Sequence, residues 1–561
     1  MYRNKRTIAT TGALACLLAV GTVAATAVIP APAPVEPGFT NDRSATLAKQ
    51  IKSAKPRNVI LIIGDGMDDS IITAARNYEL GADGRFKGLD ALPFTGAMTT
   101  HGLKVGPGPD YQIAYVSDSA PTASGWSTGK KTVDGRLSQG PSTAAEVPGT
   151  DYETVLEKYK KAGKRVGNIT TSEITDATPA AAGAHINARG CHGPTDMAAC
   201  ASARKSAGGK GSIAEQLVDN KIDVLMGGGK NRYNQATDAG PTALAYAQAQ
   251  HKYRLVEDKA ALDGITSLED GPVLGLFAGG NMTPRYQPLV ATAPPGAGSD
   301  TTKCQDADRG NQPDLSAMTD KAIKLLDNPK GFFLQAESAM IDKQEHASDI
   351  CGAIGDLREL DEVVQVALKF QEKNPDTLIV VTGDHAHSTQ IVGGNTDGKQ
   401  TATIQTADGD PMTVAYSTSD VGSDHTGTQI RVAASGPQAA NVTGVIDQTD
   451  LFRTLLGRSP SSLPGPPAAK PSISVVAAGQ ISKSKLARPG LPIAVAASAG
   501  RTVLVKLVQN LRTLASKRIG KNGGILTLRS GVAKVGKVTV VAKVTGAGGT
   551  ATATRTIKVT R

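Results

Sequence analysis

Aromatic residues, histidine and cysteine are all scarce in this chain of 561 residues: 4% are Phe, Trp or Tyr, and there are 8 histidines and 5 cysteines. So few cysteines exclude a disulfide-dense mini-domain scaffold, and the lack of any C-x-x-C pair argues against a cysteine-bound zinc module. Beyond the N-terminus no apolar run approaches the ~20 residues that a membrane-spanning helix needs. An apolar fraction of 40% is ordinary for a globular chain and excludes wholesale disorder. The most marked absence lies at the C-terminal end. From Lys470 to Arg561 there is no Asp, Glu, Phe, Tyr or Trp, against 17 Lys and Arg.

The whole chain carries a net charge of +10, so once this segment and Arg3, Lys5 and Arg6 are set aside, residues 28–469 carry a net charge of −10. Two oppositely charged bodies share one chain. Between them runs GRSPSSLPGPPAAKPS, residues 457–472, whose Pro, Ser and Gly content is that of a linker. Past it come SISVVAA, LPIAVAAS, TVLVKLV, GILTLRS, KVTVVAKVTG and TATRTIKVT. Short β-branched runs at this spacing, with Gly-rich turns, predict a small all-β sandwich over 473–561. Uncompensated positive charge of this density attracts polyanions in a salt-sensitive way, so the expected partner is an anionic cell-envelope polymer or surface. Nucleic acid is not expected, because the module has no aromatic ring on which bases could stack.

The N-terminus, MYRNKRTIATTGALACLLAVGTVAATAVIP, has a basic head, an apolar run of small residues and Ala25-Thr26-Ala27. This reads as a secretory signal peptide over 1–27, followed by a linker at 28–44, and it predicts a secreted or envelope-associated protein. The run is also long enough to serve as an uncleaved anchor. Cys16 falls within it. Export then makes Cys191, Cys200, Cys304 and Cys351 disulfide candidates; three connectivities exist, and proximity favours Cys191–Cys200 with Cys304–Cys351.

In the acidic body, NVILIIG (58–64), RVGNITT (165–171), IDVLMGG (222–228), GFFLQAE (331–337) and TLIVVTG (377–383) read as buried strands. Helical periodicity in DYETVLEKYKKAG and GDLRELDEVVQVALKFQEK lies between them. The alternation predicts an α/β fold, a central, mostly parallel sheet with helices on both faces, and such sheets gather function past the carboxyl ends of their strands. Asp65 stands there after the first strand, Glu337 with Asp342 and His346 after the fourth, and Asp384, His385 and His387 after the fifth; His425 follows in SDHTGTQ. Each residue alone has an ordinary explanation, as a helix cap, a turn former or an ion-pair partner. Together they place clustered acids and histidines at three strand ends of a histidine-poor chain, which points to metal chemistry. Mixed imidazole and carboxylate ligands suit zinc, and an all-oxygen shell suits magnesium. A cation would also explain YVSDSAPTASGW (115–126), where Ser117, Ser119, Thr122 and Ser124 cluster with no histidine nearby in sequence: metal coordination can activate a hydroxyl that lacks a base.

In the order IGDGM, YVSDSAPTASGWSTGKKT, DATPAA with AHINARGC, GFFLQAESAMIDKQEHA, VVTGDHAH and DHTGTQIRVAASGP, the chain over about 45–457 resembles the metal-dependent alkaline phosphatases of the enterobacterial type. The resemblance implies hydrolysis of small phosphate monoesters through a phosphoserine at Ser119, with two Zn2+ and one Mg2+ per chain. By it, Asp342, His346 and His425 hold one zinc, and Asp65, Asp384 and His385 the other. Thr178 and Glu337 share the magnesium with Asp65, and Arg189 grips two phosphate oxygens in a fork that lysine cannot reproduce. Asp176 and Lys343 match a pair behind these groups that varies within the family, and His387 matches a histidine that neighbours a zinc rather than holding it. The same cysteine pairing, a homodimer and a role in phosphate scavenging are also implied.

Two features depart from the family: Pro121, at a helix start where proline is tolerated, and the basic module itself. Residues 230–315 carry no motif. Competing readings are another hydrolase of the superfold or a metal-bearing surface adhesin. Ser119-Ala120-Pro121-Thr122-Ala123 lacks the arginine of the sulfatase pattern C/S-x-P-x-R, and a phosphodiesterase would favour a threonine nucleophile without the Arg189 clamp.

Overall fold

The computed structural model describes residues 44–394, 398–418, 423–457, 471–498, 502–520, 523–546 and 549–561. The expected signal peptide, and the two linkers but for residues 44, 457, 471 and 472, lie outside the described residues. Two compact units divide between Lys49 and Gln50. Of the first, only part of the short helix Ser44–Gln50 is described.

The acidic body is built on a ten-stranded sheet. In chain order its strands are β1 Asn58–Gly64, β2 Phe94–Thr99, β3 Arg165–Glu173, β4 Val224–Gly228, β5 Arg254–Val256, β6 Val273–Leu276, β7 Phe332–Ser338, β8 Thr377–Gly383, β9 Ile430–Ser435 and β10 Gly444–Asp447. They lie side by side as β10-β2-β9-β8-β1-β7-β3-β4-β6-β5. Only β9 runs against its neighbours, β8 and β2; every other pairing is parallel. The five strands expected from apolar runs all form, with β3 extending to Glu173 and β4 starting at Val224. Residues 230–315 contribute the two strands at one edge, β5 and β6.

Every residue of β1 is buried, which is why NVILIIG has no polar alternation. Its side chains alternate between two cores. Ile60 and Ile62 join Leu357, Leu360 and Val364 of the long helix Ile350–Lys373. Val59, Leu61 and Ile63 join Ala120, Ala123 and Trp126 of the helix Ser119–Thr128. One helix thus carries Ser119 on one face of the sheet, while the segment holding Asp342 and His346 leads into the helix on the other. Cys191–Cys200 and Cys304–Cys351 are bonded, closing sequence separations of 9 and 47.

The basic module is a two-sheet sandwich. Ser472–Ala477, Leu491–Ser498 and Gly523–Leu528 make one sheet. Gln480–Ser482, Gly549–Thr560, Gly536–Gly546, Thr502–Gln509 and Arg512–Ile519 make the other in that order. Alternate residues such as Ile493, Val495, Val503, Val505, Val538 and Val540 fill the space between. The strand Arg512–Ile519 escapes the sequence reading because it lies at a sheet edge, exposed or half-buried throughout, and so carries no apolar alternation. No helix among the described residues is long and apolar enough to cross a membrane.

Candidate active site

The parallel strands deliver the acids from their carboxyl ends. β1 and β7 are in register so that Ile63 faces Glu337, and Gly64 of β1 pairs with Gly383 of β8, which sets Asp65 and Asp384 side by side just past the sheet. Asp384 accepts the backbone N–H of Gly66 at 2.9 Å and that of His385 at 2.8 Å. Asp342 and His346, four residues apart on the turn Met340–His346, bring carboxylate and imidazole to 3.5 Å.

Ser119 opens its helix and is buried beside these groups. Its Oγ lies 3.3 Å from Asp65 Oδ1 and 3.1 Å from His385 Nε2. Of the other hydroxyls of its segment, Ser124 donates to the Arg136 carbonyl and Thr122 to the Ser119 carbonyl, with Thr122 Oγ1 also 3.5 Å from Asp384 Oδ2. Ser117 Oγ lies 3.5 Å from the carbonyl of Asp118. Ser119, the hydroxyl that the family resemblance points to, thus touches both a carboxylate and an imidazole of the cluster.

Around Asp342 Oδ1 gather four imidazoles: the Nε2 atoms of His425 at 3.2 Å, His387 at 3.3 Å, His346 at 3.5 Å and His385 at 4.0 Å. Among the described residues two groups have ligand atoms close enough to share an ion: Asp342, His346, His387 and His425, and Asp65, Asp342 and His385. Asp384 Oδ2 lies 3.2 Å from His385 Nε2, beside the second group.

The ring tautomers separate these histidines. His425 Nδ1 lies 3.0 Å from the Ser117 carbonyl oxygen, His346 Nδ1 3.4 Å from that of Ser423, and His385 Nδ1 3.3 Å from that of Ala386. A carbonyl oxygen only accepts, so a neutral ring making this contact holds its proton at Nδ1 and turns an Nε2 lone pair toward the cluster. The Nε2 atoms of His346 and His425 lie 3.0 Å apart, a separation that needs a proton or a cation between them. His387 is reversed. The Ser388 N–H donates to its Nδ1 at 2.8 Å, so the neutral ring's proton sits at Nε2, facing Asp342.

Several buried polar atoms are left over. Asp342 Oδ1, Thr178 Oγ1, Glu337 Oε1 and His387 Nε2 have no hydrogen-bond partner of good geometry. Burial, with Asp176 and Asp384 nearby, pushes Glu337 up to about 8, and burial with Asp342 and Asp384 raises Asp65 well above the usual carboxylate range. Burial works against a charged His425, yet Asp342 and Asp384 push it up to about 9. A pocket with surplus carboxylate, orphaned oxygens and imidazole lone pairs is one that cations would satisfy, and metal binding would displace these protons.

Arg189 stands at the rim. Its guanidinium donates to Asp118 Oδ1 through one nitrogen and to Asp176 Oδ1 at 2.6 Å through the other. Burial opposes the charge on Arg189, but Asp176 and Asp118 hold it firmly cationic. Lys343 Nζ bridges Asp176 at 3.1 Å and Asp342 at 3.3 Å, so these side chains form a chain of alternating charge from Arg189 to Asp342. Asp118 was missed by sequence reasoning. Its neighbour Ser119 drew the attention, and only the fold folds Arg189 back onto it.

Of the site residues expected from the sequence, Asp65, Ser119, Asp384, His385, Asp342, His346, His387 and His425 meet here, and Arg189, Asp176 and Lys343 are linked to them through ion pairs. Thr178 Oγ1 and Glu337 Oε1 are buried without a partner, and Cys191, Cys200, Cys304 and Cys351 form the two disulfides. Residues 56–421 match the family model described as alkaline phosphatase. The chain is 46% identical over 429 residues to the alkaline phosphatase of Escherichia coli K12, covering 74% of this chain and 89% of that one. It is 40% identical to the streptomycin-6-phosphate phosphatase of Streptomyces griseus, covering 74% and 93%. The fold resembles that of the alkaline phosphatase from the Antarctic bacterium TAB5, with a TM-score of 0.54 at 22% identity, covering 72% of this chain and 98% of that one. A family match along most of the acidic body, and relatives at this identity aligned over nearly their whole length, make the chain a member of the alkaline phosphatase family.

Proposed function

We propose that this chain is an exported phosphomonoesterase that works through Ser119 at a site for two zinc ions and one magnesium. Asp342, His346 and His425 would hold one zinc, Asp65, Asp384 and His385 the other, and Glu337 and Thr178, with Asp65, the magnesium. The division among the three ions follows the family resemblance. The observation that supports the choice of histidines is the hydrogen bonding behind the rings, since three are backed by carbonyls and can offer Nε2 lone pairs, while His387 is backed by an N–H and offers a proton. His387 therefore steadies Asp342 instead of joining the ligands. Bound cations would supply Lewis-acid polarisation of the phosphoryl group and lower the pKa of a nearby hydroxyl.

The chain's own groups do the rest. Ser119 Oγ, held by Asp65 and His385, attacks phosphorus; the Ser–O–P bond forms as the ester P–O bond breaks and the alcohol departs. Water then cleaves the phosphoserine, releasing inorganic phosphate and restoring Ser119. Arg189 grips two terminal phosphoryl oxygens with paired donors, a fit for a monoester, since a diester has an alkyl group where one of those oxygens would be. Asp118 and Asp176 aim that fork, and Lys343 spreads its charge between Asp176 and Asp342.

The relatives named above differ in the substrates their names imply, so general scavenging of phosphate from mixed monoesters is the reading we favour here. Export follows from the N-terminal signal and agrees with two disulfides. A homodimer is proposed on family resemblance alone. The test is turnover of a chromogenic monoester beside its diester, before and after chelation and with zinc and magnesium returned. Chelation should abolish monoester turnover and the two metals restore it. Ser119→Ala should keep its metals, lose most activity and trap no phosphate covalently. Full activity without metal, or in Ser119→Ala, refutes the assignment.

A further inference from the structure

The basic module carries 17 Lys and Arg and no acid, and one end of it combines charge with exposed aliphatic side chains. Strands Thr502–Gln509 and Arg512–Ile519 are joined by a two-residue turn, Asn510–Leu511, with φ of +48° and +65°. Such a turn demands positive φ at both positions, which Asn accepts and which favours Gly second. Leucine occupies the second position instead, and it is 100% exposed. A leucine held in a disfavoured conformation that packs on nothing contributes nothing to this fold, and such outliers point to function.

The neighbouring loop repeats the pattern. The Gln509 side chain, next to the turn, is bonded both ways to the backbone of Lys534: it donates to the Lys534 carbonyl at 2.9 Å and accepts the Lys534 N–H at 2.9 Å. This joins the turn to the loop that follows strand Gly523–Leu528, where Val532 is 69% and Val535 53% exposed. Arg512, Lys534 and Lys537, all exposed, stand among these three aliphatics. Among the described residues, the module's other large exposed aliphatics, Val476 and Ile525, lie on the three-stranded sheet, whose strands contain no Lys or Arg.

Aliphatic tips ringed by cations suit an interface that is apolar inside and anionic outside. A soluble polyanion would satisfy the cations and leave Leu511, Val532 and Val535 in water; a bilayer takes both. We propose that this end of the module docks on an anionic phospholipid surface, with Leu511, Val532 and Val535 entering the acyl boundary and Arg512, Lys534 and Lys537 meeting headgroup phosphates. This sharpens the expected anionic partner to lipid and places the contact at one end of the sandwich. It stands independently of the catalytic assignment, because turnover is read separately.

The test is sedimentation of the chain from residue 28 onward with vesicles, which removes any contribution from the apolar leader. Vesicles of phosphatidylcholine with phosphatidylglycerol should capture it, vesicles of phosphatidylcholine alone should not, and high salt should release it. Leu511→Gly suits the turn and removes the apolar tip, so it should keep its melting temperature and monoester turnover while binding lipid roughly tenfold more weakly. Arg512→Gln with Lys534→Gln should abolish the preference for phosphatidylglycerol, and Ile525→Thr should change nothing. No capture by anionic vesicles at low salt overturns the proposal. So does wild-type lipid affinity in Leu511→Gly, or tighter capture by soluble poly(glycerol phosphate), which would favour a polymer partner.

Discussion

Replacing His387 tests the division of labour among the histidines most sharply. His387 Nε2 lies 3.3 Å from Asp342 Oδ1; both atoms are buried and neither has a well-aligned hydrogen-bond partner here, so the bond at stake is the one the metal-loaded site would form. A hydrogen bond to a charged acceptor contributes about 1.5–3 kcal/mol. Loss of such a partner behind a metal ligand typically weakens metal affinity by about 10–100-fold, the same range at ~1.4 kcal/mol per decade. His387→Ala should therefore bind zinc about 10–100-fold more weakly yet still fill its sites when zinc is raised, with turnover returning. His387→Gln retains an N–H donor and should recover part of the loss. His425→Ala removes a lone pair backed by the Ser117 carbonyl, and no excess of zinc should restore it. The assay is zinc content and monoester turnover across buffered free-zinc concentrations. If His387→Ala loses zinc as completely as His425→Ala, the tautomer argument is wrong and His387 is itself a ligand.

Arg189→Lys keeps the charge but loses the fork, so inhibition by inorganic phosphate should weaken at least tenfold, at about 1.5–3 kcal/mol per charged hydrogen bond; unchanged inhibition would mean that Arg189 does not grip phosphate. Reducing Cys304–Cys351, which spans 47 residues, should cost about 4 kcal/mol of stability, and Cys191–Cys200, which spans 9, about 3, on the loop-entropy estimate. Thermal melts with and without reductant should show this while room-temperature turnover falls far less. In metal-free protein Glu337 is raised from 4.5 to about 8, so the folded state favours its protonated form and that stability is lost as pH rises toward 8. The melting temperature of chelated protein should fall between about pH 5 and 8 and that of metal-loaded protein should not; parallel profiles would refute the link.

Much of this was legible because local physics enforces it. A strand buried on both faces must be apolar throughout, so NVILIIG and TLIVVTG could be read directly, and the acids immediately after them had to lie at the sheet's carboxyl edge. Strand Ile430–Ser435 was harder: its direction is set by where the chain re-enters the sheet, and nothing in six residues records that. Arg512–Ile519 was invisible because an edge strand exposed along its length needs no alternation.

The sequence by itself determined the chemistry available: which acids and imidazoles exist, that they follow strand ends, and that the acidic body and the basic module are separate in charge. Only the tertiary structure decided which of those groups meet. Ser119 stands out from three other hydroxyls because helix and sheet bring it to Asp65 and His385, residues 54 and 266 positions away. His387 differs from His425 because a backbone N–H backs one ring and a carbonyl the other. Hydrogen-bond direction depends on which backbone group lies behind a ring, and long-range packing, which the linear order of residues does not encode locally, sets that.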